Sequence, residues 1–168
     1  MEPPLLTRLA RSIDATLLTA WATPGEIERV AEEACRLRVA AVCILPFHTR
    51  RAAAIVAGTG VAVRAAAPGC LTKWIVEQDA LDPAELRRAV LVIGAEGGDF
   101  VKNATGYGPG GASVAGIRLL RSLAGTMGVK ASGGIRKRDQ ALALLDAGAD
   151  RIGTSAAAAI LGAPERRG

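Results

Sequence analysis

The stretch Asp99-Phe100-Val101-Lys102-Asn103-Ala104-Thr105-Gly106-Tyr107-Gly108-Pro109-Gly110-Gly111-Ala112-Ser113 reads as a short apolar strand ending in a lysine, then a glycine-rich loop, then the start of a helix. Burial disfavours the ammonium form of a lysine. A lysine at the carboxyl end of a buried strand is therefore usually partnered or chemically active. The next strand-like run, Gly128-Val129-Lys130-Ala131-Ser132-Gly133-Gly134-Ile135, ends its apolar part in a second lysine. Strand, glycine loop and helix, repeated with a lysine at each strand end, are the pattern of parallel βα units.

Working outward, the same rhythm continues in both directions. Gly97-Gly98-Asp99-Phe100-Val101 and Gly148-Ala149-Asp150-Arg151-Ile152 are each a helix stop, an aspartate and a strand. Helices are expected over 113–123 and 138–147, a last strand over 150–155, and a short helix to Leu161. Pro164 to Gly168 reads as a frayed tail. Toward the amino end, Asp82-Pro83-Ala84-Glu85 and Thr23-Pro24-Gly25-Glu26 are capping boxes with proline at the first helical position. The first opens a helix to about Ala95. The second opens one to about Val39 whose apolar stripe is Ile27, Val30, Ala31, Ala34 and Leu37. Val39 to Leu45 is a continuous apolar run, as in a strand buried on both faces of a parallel sheet. Further strands are expected at 12–18, 61–66 and 72–78, and a short helix at 50–57. A (βα) barrel carries its active site at the carboxyl ends of its strands, and Lys102, Lys130 and Ser155 all fall at expected strand ends. The expectation is a single domain, 1–168, of the α/β class: a TIM-type parallel barrel.

Composition narrows the function. Half of the 168 residues are hydrophobic, which suits a substantial core. Aromatics are only 3%, whereas single-stranded nucleic acid is usually held by stacking on aromatic rings. The net charge of +5 is scattered rather than clustered. That suits a small anionic ligand better than a nucleic-acid groove, and no nucleic-acid partner is expected. The three cysteines, Cys35, Cys43 and Cys70, form no CxxC pair, and His48 is the only histidine. Neither a disulfide framework nor a metal site is expected. No basic segment followed by a long apolar run opens the chain and no run is long enough to span a membrane. The expected setting is a reducing cytoplasm, with no membrane partner.

The lysine pair has a chemistry of its own. An amine that attacks a carbonyl must be neutral, yet lysine's reference pKa is about 10.4. A neighbouring cation lowers it. Adjacent strands lie ~4.8 Å apart, and two ammoniums ~6 Å apart at an effective dielectric of ~20 repel by roughly 2–3 kcal/mol. The pair can therefore supply a nucleophile for a Schiff base, or it can simply bind an anion. Gly106 to Gly111 also fits GxGxxG, but Lys130 stands where a dinucleotide's ribose would need an acidic residue. No cofactor is expected.

Phe100-Val101-Lys102, Thr105 to Ala112, Val129-Lys130-Ala131-Ser132-Gly133-Gly134-Ile135-Arg136 and Arg151-Ile152-Gly153-Thr154-Ser155 together resemble the deoxyribose-phosphate aldolase family. Ile13 to Leu18 and Ala41 to Ile44 resemble its first two strands, so the likeness covers nearly the whole chain. It implies a class I aldolase in which Lys102 forms the Schiff base and Lys130 depresses its pKa. It also implies a substrate and phosphate site drawn from Thr105, Gly106, Ser132, Gly133, Gly134, Gly153, Thr154 and Ser155. Glycine loops and helix starts bind phosphate in this way. The expected substrate is a small aldehyde, phosphorylated, such as 2-deoxyribose 5-phosphate.

The chain departs from the family at one large point. Only six residues, Ala67 to Thr72, separate two expected strands, whereas parallel neighbours need a crossover of about a dozen. The family's fourth strand, with its flanking helices and its proton-transferring aspartate, is what the shortening removes. Asp14 is the leading substitute, with Glu77 and Asp79 also near strand ends. The barrel is thus expected to lack about one strand and two helices. Either it contracts or a second copy of the chain covers the gap. Asn103-Ala104 replaces the family's common Thr-Ser, and Ala156 follows Ser155 where a small polar residue or glycine is usual. These changes leave two alternatives: a divergent Schiff-base enzyme that condenses or cyclises another metabolite, or a non-catalytic ligand-binding remnant.

Overall fold

The computed structural model describes residues 4–64 and 71–164. In chain order it contains α1 (Leu5–Ser12), β1 (Ile13–Leu17), α2 (Pro24–Leu37), β2 (Ala41–Ile44), a 3₁₀ turn (Pro46–His48), α3 (Thr49–Val56) and β3 (Ala62–Arg64). There follow β4 (Lys73–Ile75), a second 3₁₀ turn (Gln78–Ala80), α4 (Pro83–Ala95), β5 (Phe100–Lys102), α5 (Val114–Leu123), β6 (Gly128–Ser132), α6 (Arg138–Asp146), β7 (Arg151–Thr154) and α7 (Ala157–Leu161). Strands alternate with helices, and every pairing from β1 to β3 and from β4 to β6 is parallel. Among the described residues this is a reduced TIM-type (βα) fold with seven strands. The expected tail beyond Pro164, Cys70, and the end of the third expected strand at Ala65 and Ala66 lie outside the described residues.

The described residues fall into two compact units. The first comprises 4–64, 136–138 and 153–164. In its sheet β2 lies between β1 and β3, in the register Ala15↔Val42 with β1 and Ala41↔Ala62 and Val42↔Val63 with β3. Both capping boxes form as expected. Thr23 accepts the Glu26 N–H through Oγ1 at 3.3 Å, and Glu26 Oε2 accepts the Thr23 N–H at 2.7 Å. Hydrogen bonds from the Thr23 backbone and hydroxyl hold Glu26's carboxyl below the usual carboxylate range. Ile27, Ala31 and Ala34 of the expected stripe are buried, with Val30 and Leu37 at its half-buried margins. They pack in a core with Leu9, Ile13, Ala41, Val42 and Ile44. The helix stops at Leu37 because Arg38 turns into the left-handed region, with φ 52°.

The second unit comprises 71–135 and 139–152. In it β5 lies between β4 and β6. Beside β6, Asp150 at the start of β7 donates its N–H to Val129 O at 2.8 Å. Val101, Val129 and Ile152 are wholly buried against Leu86, Val90, Ile117, Leu120 and Leu144 of the helices. The repeated aspartates have matching jobs at the amino ends of the strands. Asp99 Oδ2 accepts the Thr72 N–H at 2.7 Å, just before β4. Asp150 Oδ2 accepts the Val129 N–H at 2.8 Å and meets Arg121 at 3.3 Å. β3 pairs with β2 and β4 pairs with β5, as a connection too short for a crossover requires. Within its unit β4 is an edge, and Trp74 and Ile75 are about half exposed. No described helix is long and apolar enough to cross a membrane.

Candidate active site

Parallel strands in register send paired side chains to the same side of the sheet. The pairs Lys73↔Phe100↔Gly128 and Ile75↔Lys102↔Lys130 therefore form two successive rows on one face of the second unit. In the lower row, the Lys73 ammonium lies 4.6 Å from the centre of the Phe100 ring. That ring occupies the space a side chain at position 128 would need, which accounts for Gly128. In the upper row, Lys102 and Lys130 stand side by side, 4% and 1% exposed. Lys130 is the largest of the fully buried side chains. The two buried lysines thus occupy directly opposed positions of neighbouring strands.

One expectation changes in detail. Lys102 ends β5, but Lys130 is the third residue of β6, which runs on to Ser132. Asn103 explains the extension. Its N–H reaches Lys130 O at 3.2 Å, and its side-chain oxygen accepts the Ser132 N–H at 2.8 Å. The Asn103 amide thus continues the ladder where β5 itself stops. Ser132 donates its hydroxyl to Ala104 O at 2.7 Å, so what it can still offer a ligand is an acceptor. Asn103 is 2% exposed. In the sequence Asn103 stands only as a departure from the family's pattern; a short amide side chain directly after a strand-end lysine is the local signal of this tie.

The glycine loop is shaped by close approach on two sides. On one side, the backbone of Gly133 leaves no room for a Cβ at Gly111, which would lie 2.8 Å from Gly133 O. Ala112 donates its N–H to that oxygen at 3.0 Å. Gly133 itself has φ +97°, a left-handed conformation that suits glycine alone. On the other side, Gly108 lies against the Glu77 carboxylate and Gly110 against Asp79. Thr105 donates its N–H to Glu77 Oε2 at 3.0 Å and accepts the Tyr107 N–H at 3.1 Å. Around Gly134 the space a Cβ would take is open, as an approaching anion needs.

The second unit therefore joins Lys102, Lys130, Thr105, Gly106, Ser132, Gly133 and Gly134 of the expected site. Asp14, Gly153, Thr154 and Ser155 belong to the first. There Asp14 is wholly buried in β1, and Thr154 is 5% exposed with Oγ1 accepting the Ala156 N–H at 2.9 Å. Glu77 and Asp79, the other carboxylates considered for proton transfer, face the glycine loop. No group of three or more His, Cys, Asp or Glu among the described residues is arranged to hold a metal ion.

No family model matches the chain. Individual relatives do. The chain is 35% identical to a deoxyribose-phosphate aldolase of Desulfitobacterium hafniense over 153 residues, which cover 90% of the chain and 59% of that protein. It is 34% identical to the deoxyribose-phosphate aldolase of Mycolicibacterium paratuberculosis, with 94% of the chain and 97% of the relative covered. That alignment extends over 219 positions, more than the chain contains, so the relative carries sequence that this chain lacks. Among solved structures, a tetrameric deoxyribose phosphate aldolase from Aeropyrum pernix superposes with a TM-score of 0.85 at 25% identity, covering 94% of the chain and 91% of that structure.

Proposed function

The chain belongs to the deoxyribose-phosphate aldolase family, and from that premise we propose that it is a class I aldolase that makes or breaks a carbon–carbon bond in a small phosphorylated aldehyde. The observation that carries this reading is the register pair Lys102↔Lys130, both lysines buried and both on one face of the sheet. In the cleavage direction with 2-deoxyribose 5-phosphate, the neutral amine of Lys102 adds to the aldehyde carbon, and loss of water leaves a protonated imine. Removal of the proton from the C3 hydroxyl breaks the C2–C3 bond. The electron pair moves into the imine, giving an enamine on Lys102 and releasing glyceraldehyde 3-phosphate. Protonation of the enamine carbon and hydrolysis release acetaldehyde and restore the amine.

The remaining site residues of the second unit have parts in this proposal. Lys130 is the neighbouring charge that keeps Lys102 deprotonated. Thr105, Gly106, Ser132, Gly133 and Gly134 of the second unit bind the hydroxyl and phosphate groups. A second copy of the chain covers the apolar edge of β4, where Trp74 and Ile75 are exposed.

Incubation with 2-deoxyribose 5-phosphate or acetaldehyde, followed by borohydride and peptide mass spectrometry, tests the reading. A reduced adduct on Lys102, absent from Lys102→Met, is expected. An intact, unlabelled Lys102 refutes it. A second reading, a Schiff-base enzyme that condenses or cyclises a different carbonyl compound, is favoured by the stretch of sequence that the relatives carry and this chain lacks. Adducts with other carbonyl donors but none with the sugar phosphate would select it.

A further inference from the structure

Glu77 follows β4 with φ 46° and ψ 60°, a left-handed conformation that residues with a Cβ rarely adopt. Its neighbours on both sides are hydrogen-bonded to the backbone around the reacting lysine: Val76 N–H to Lys102 O at 3.0 Å and Gln78 N–H to Asn103 O at 2.7 Å. The strained residue is thus bracketed at the strand end that holds the amine. Its carboxylate turns onto the loop that follows. Oε2 accepts the Thr105 N–H at 3.0 Å. Oε1 is buried with no hydrogen-bond partner, and it lies 2.6 Å from where a Cβ on Gly108 would stand. A strained backbone and a buried oxygen without a donor both cost stability, and such features cluster at functional sites.

We infer that Glu77 is a positioning residue for the aldolase chemistry: its carboxylate clamps the segment Thr105–Gly108 in place three residues beyond Lys102. The inference rests on the aldolase reading. The carboxylate acts through the loop. One oxygen fixes the loop's first N–H, and the bulk of the other sets how closely position 108 can approach. Gly108 is a glycine because the clamp leaves no space there, since its φ lies outside the left-handed range and its own backbone would accept a Cβ.

The test is a double-mutant cycle on the full chain with Glu77→Gly, Gly108→Ala and the two combined. The readouts are kcat and KM for 2-deoxyribose 5-phosphate, the rate of borohydride-trapped adduct formation at Lys102, and the thermal midpoint. Glycine accepts the left-handed backbone, so Glu77→Gly removes the carboxylate without adding strain. Expected is a KM roughly tenfold higher and slower trapping, from loss of one charge-assisted hydrogen bond, with the thermal midpoint little moved. Gly108→Ala should raise KM in the unaltered chain, yet add nothing in the Glu77→Gly background, where the collision is gone. An unchanged KM in Glu77→Gly, or two effects that simply add, overturns the inference while leaving adduct formation, and hence the aldolase reading, intact. Should Glu77→Gly fail to fold, Gly108→Ala decides alone: a raised KM supports the clamp and an unchanged one overturns it. No adduct at Lys102 in the unaltered chain refutes the aldolase reading itself, and the inference falls with it.

Discussion

On the aldolase reading proposed above, replacing Lys130 by methionine should abolish adduct formation at neutral pH and spare it at high pH. Lys102 and Lys130 are directly opposed on neighbouring strands and almost wholly buried. With strands ~4.8 Å apart and amines ~5–6 Å apart, two unit charges at an effective dielectric of ~20 repel by about 3 kcal/mol. On the proposed mechanism, losing that repulsion favours the ammonium form of Lys102, so adduct formation near pH 7 should fall by about two powers of ten. The alkaline recovery gives the sign. Only deprotonated Lys102 reacts, so kcat/KM of the variant should climb as pH rises, at pH values where the unaltered enzyme has already levelled off. Methionine is close in volume, and the variant's thermal midpoint, measured alongside, separates loss of the charge from loss of folding. Lys130→Arg, which keeps the charge, should leave the pH profile near its original position. The measurements are kcat/KM against pH and the rate of borohydride trapping at the same pH values. A Lys130→Met enzyme that is equally inactive at every pH would refute the electrostatic role and leave Lys130 as a ligand for the substrate's phosphate.

Two further outcomes follow from local geometry. Gly133→Ala forces a Cβ into a left-handed backbone and to within 2.9 Å of the Gly111 Cα. The expected loss is about 2–4 kcal/mol, seen as a thermal midpoint lower by roughly 5–10 °C; an unshifted midpoint would contradict the close packing of the two loops. Glu26, held below the usual carboxylate range by Thr23, stabilises α2 above the unfolded carboxyl's pKa, and that stability is lost as pH falls through its lowered value. The difference in thermal midpoint between the unaltered chain and Glu26→Gln should therefore be present at neutral pH and vanish in acid; a constant difference refutes the assignment.

The elements with short-range signals were legible before any coordinates. Thr23-Pro24-Gly25-Glu26 and Asp82-Pro83-Ala84-Glu85 announce helix starts because a side chain and a backbone N–H three residues apart satisfy each other. Both boxes are present. The lysine pair was legible because two apolar runs each stop at a lysine and a glycine loop. Helix α1 was not. It opens on Pro4 with no side-chain cap, so nothing marks its start, and the first strand begins one residue later than the apolar pattern suggests. The glycine loop shows what a sequence hides. Its spacing resembles a phosphate cradle, but the structure gives Gly108, Gly110 and Gly111 other reasons: neighbours from Glu77, Asp79 and Gly133 crowd them. Those contacts are distant in sequence, as is the tie from Asn103 to Ser132. The left-handed turn at Glu77 has no local residue signal at all, because glycine or asparagine would be the usual choice there.

Asp99 and Asp150 fasten the starts of β4 and β6 from the neighbouring strand, at the end of the sheet away from the lysines. Alignment of these strands is thereby secured at the end of the sheet opposite Lys102 and Lys130. Loops beyond the opposite strand ends can then be exchanged, lengthened or cut without letting the strands slide. A search for altered ligand preference should leave Thr72, Asp99, Asp150 and the crowded Gly108, Gly110 and Gly111 untouched and vary the exposed Tyr107 first.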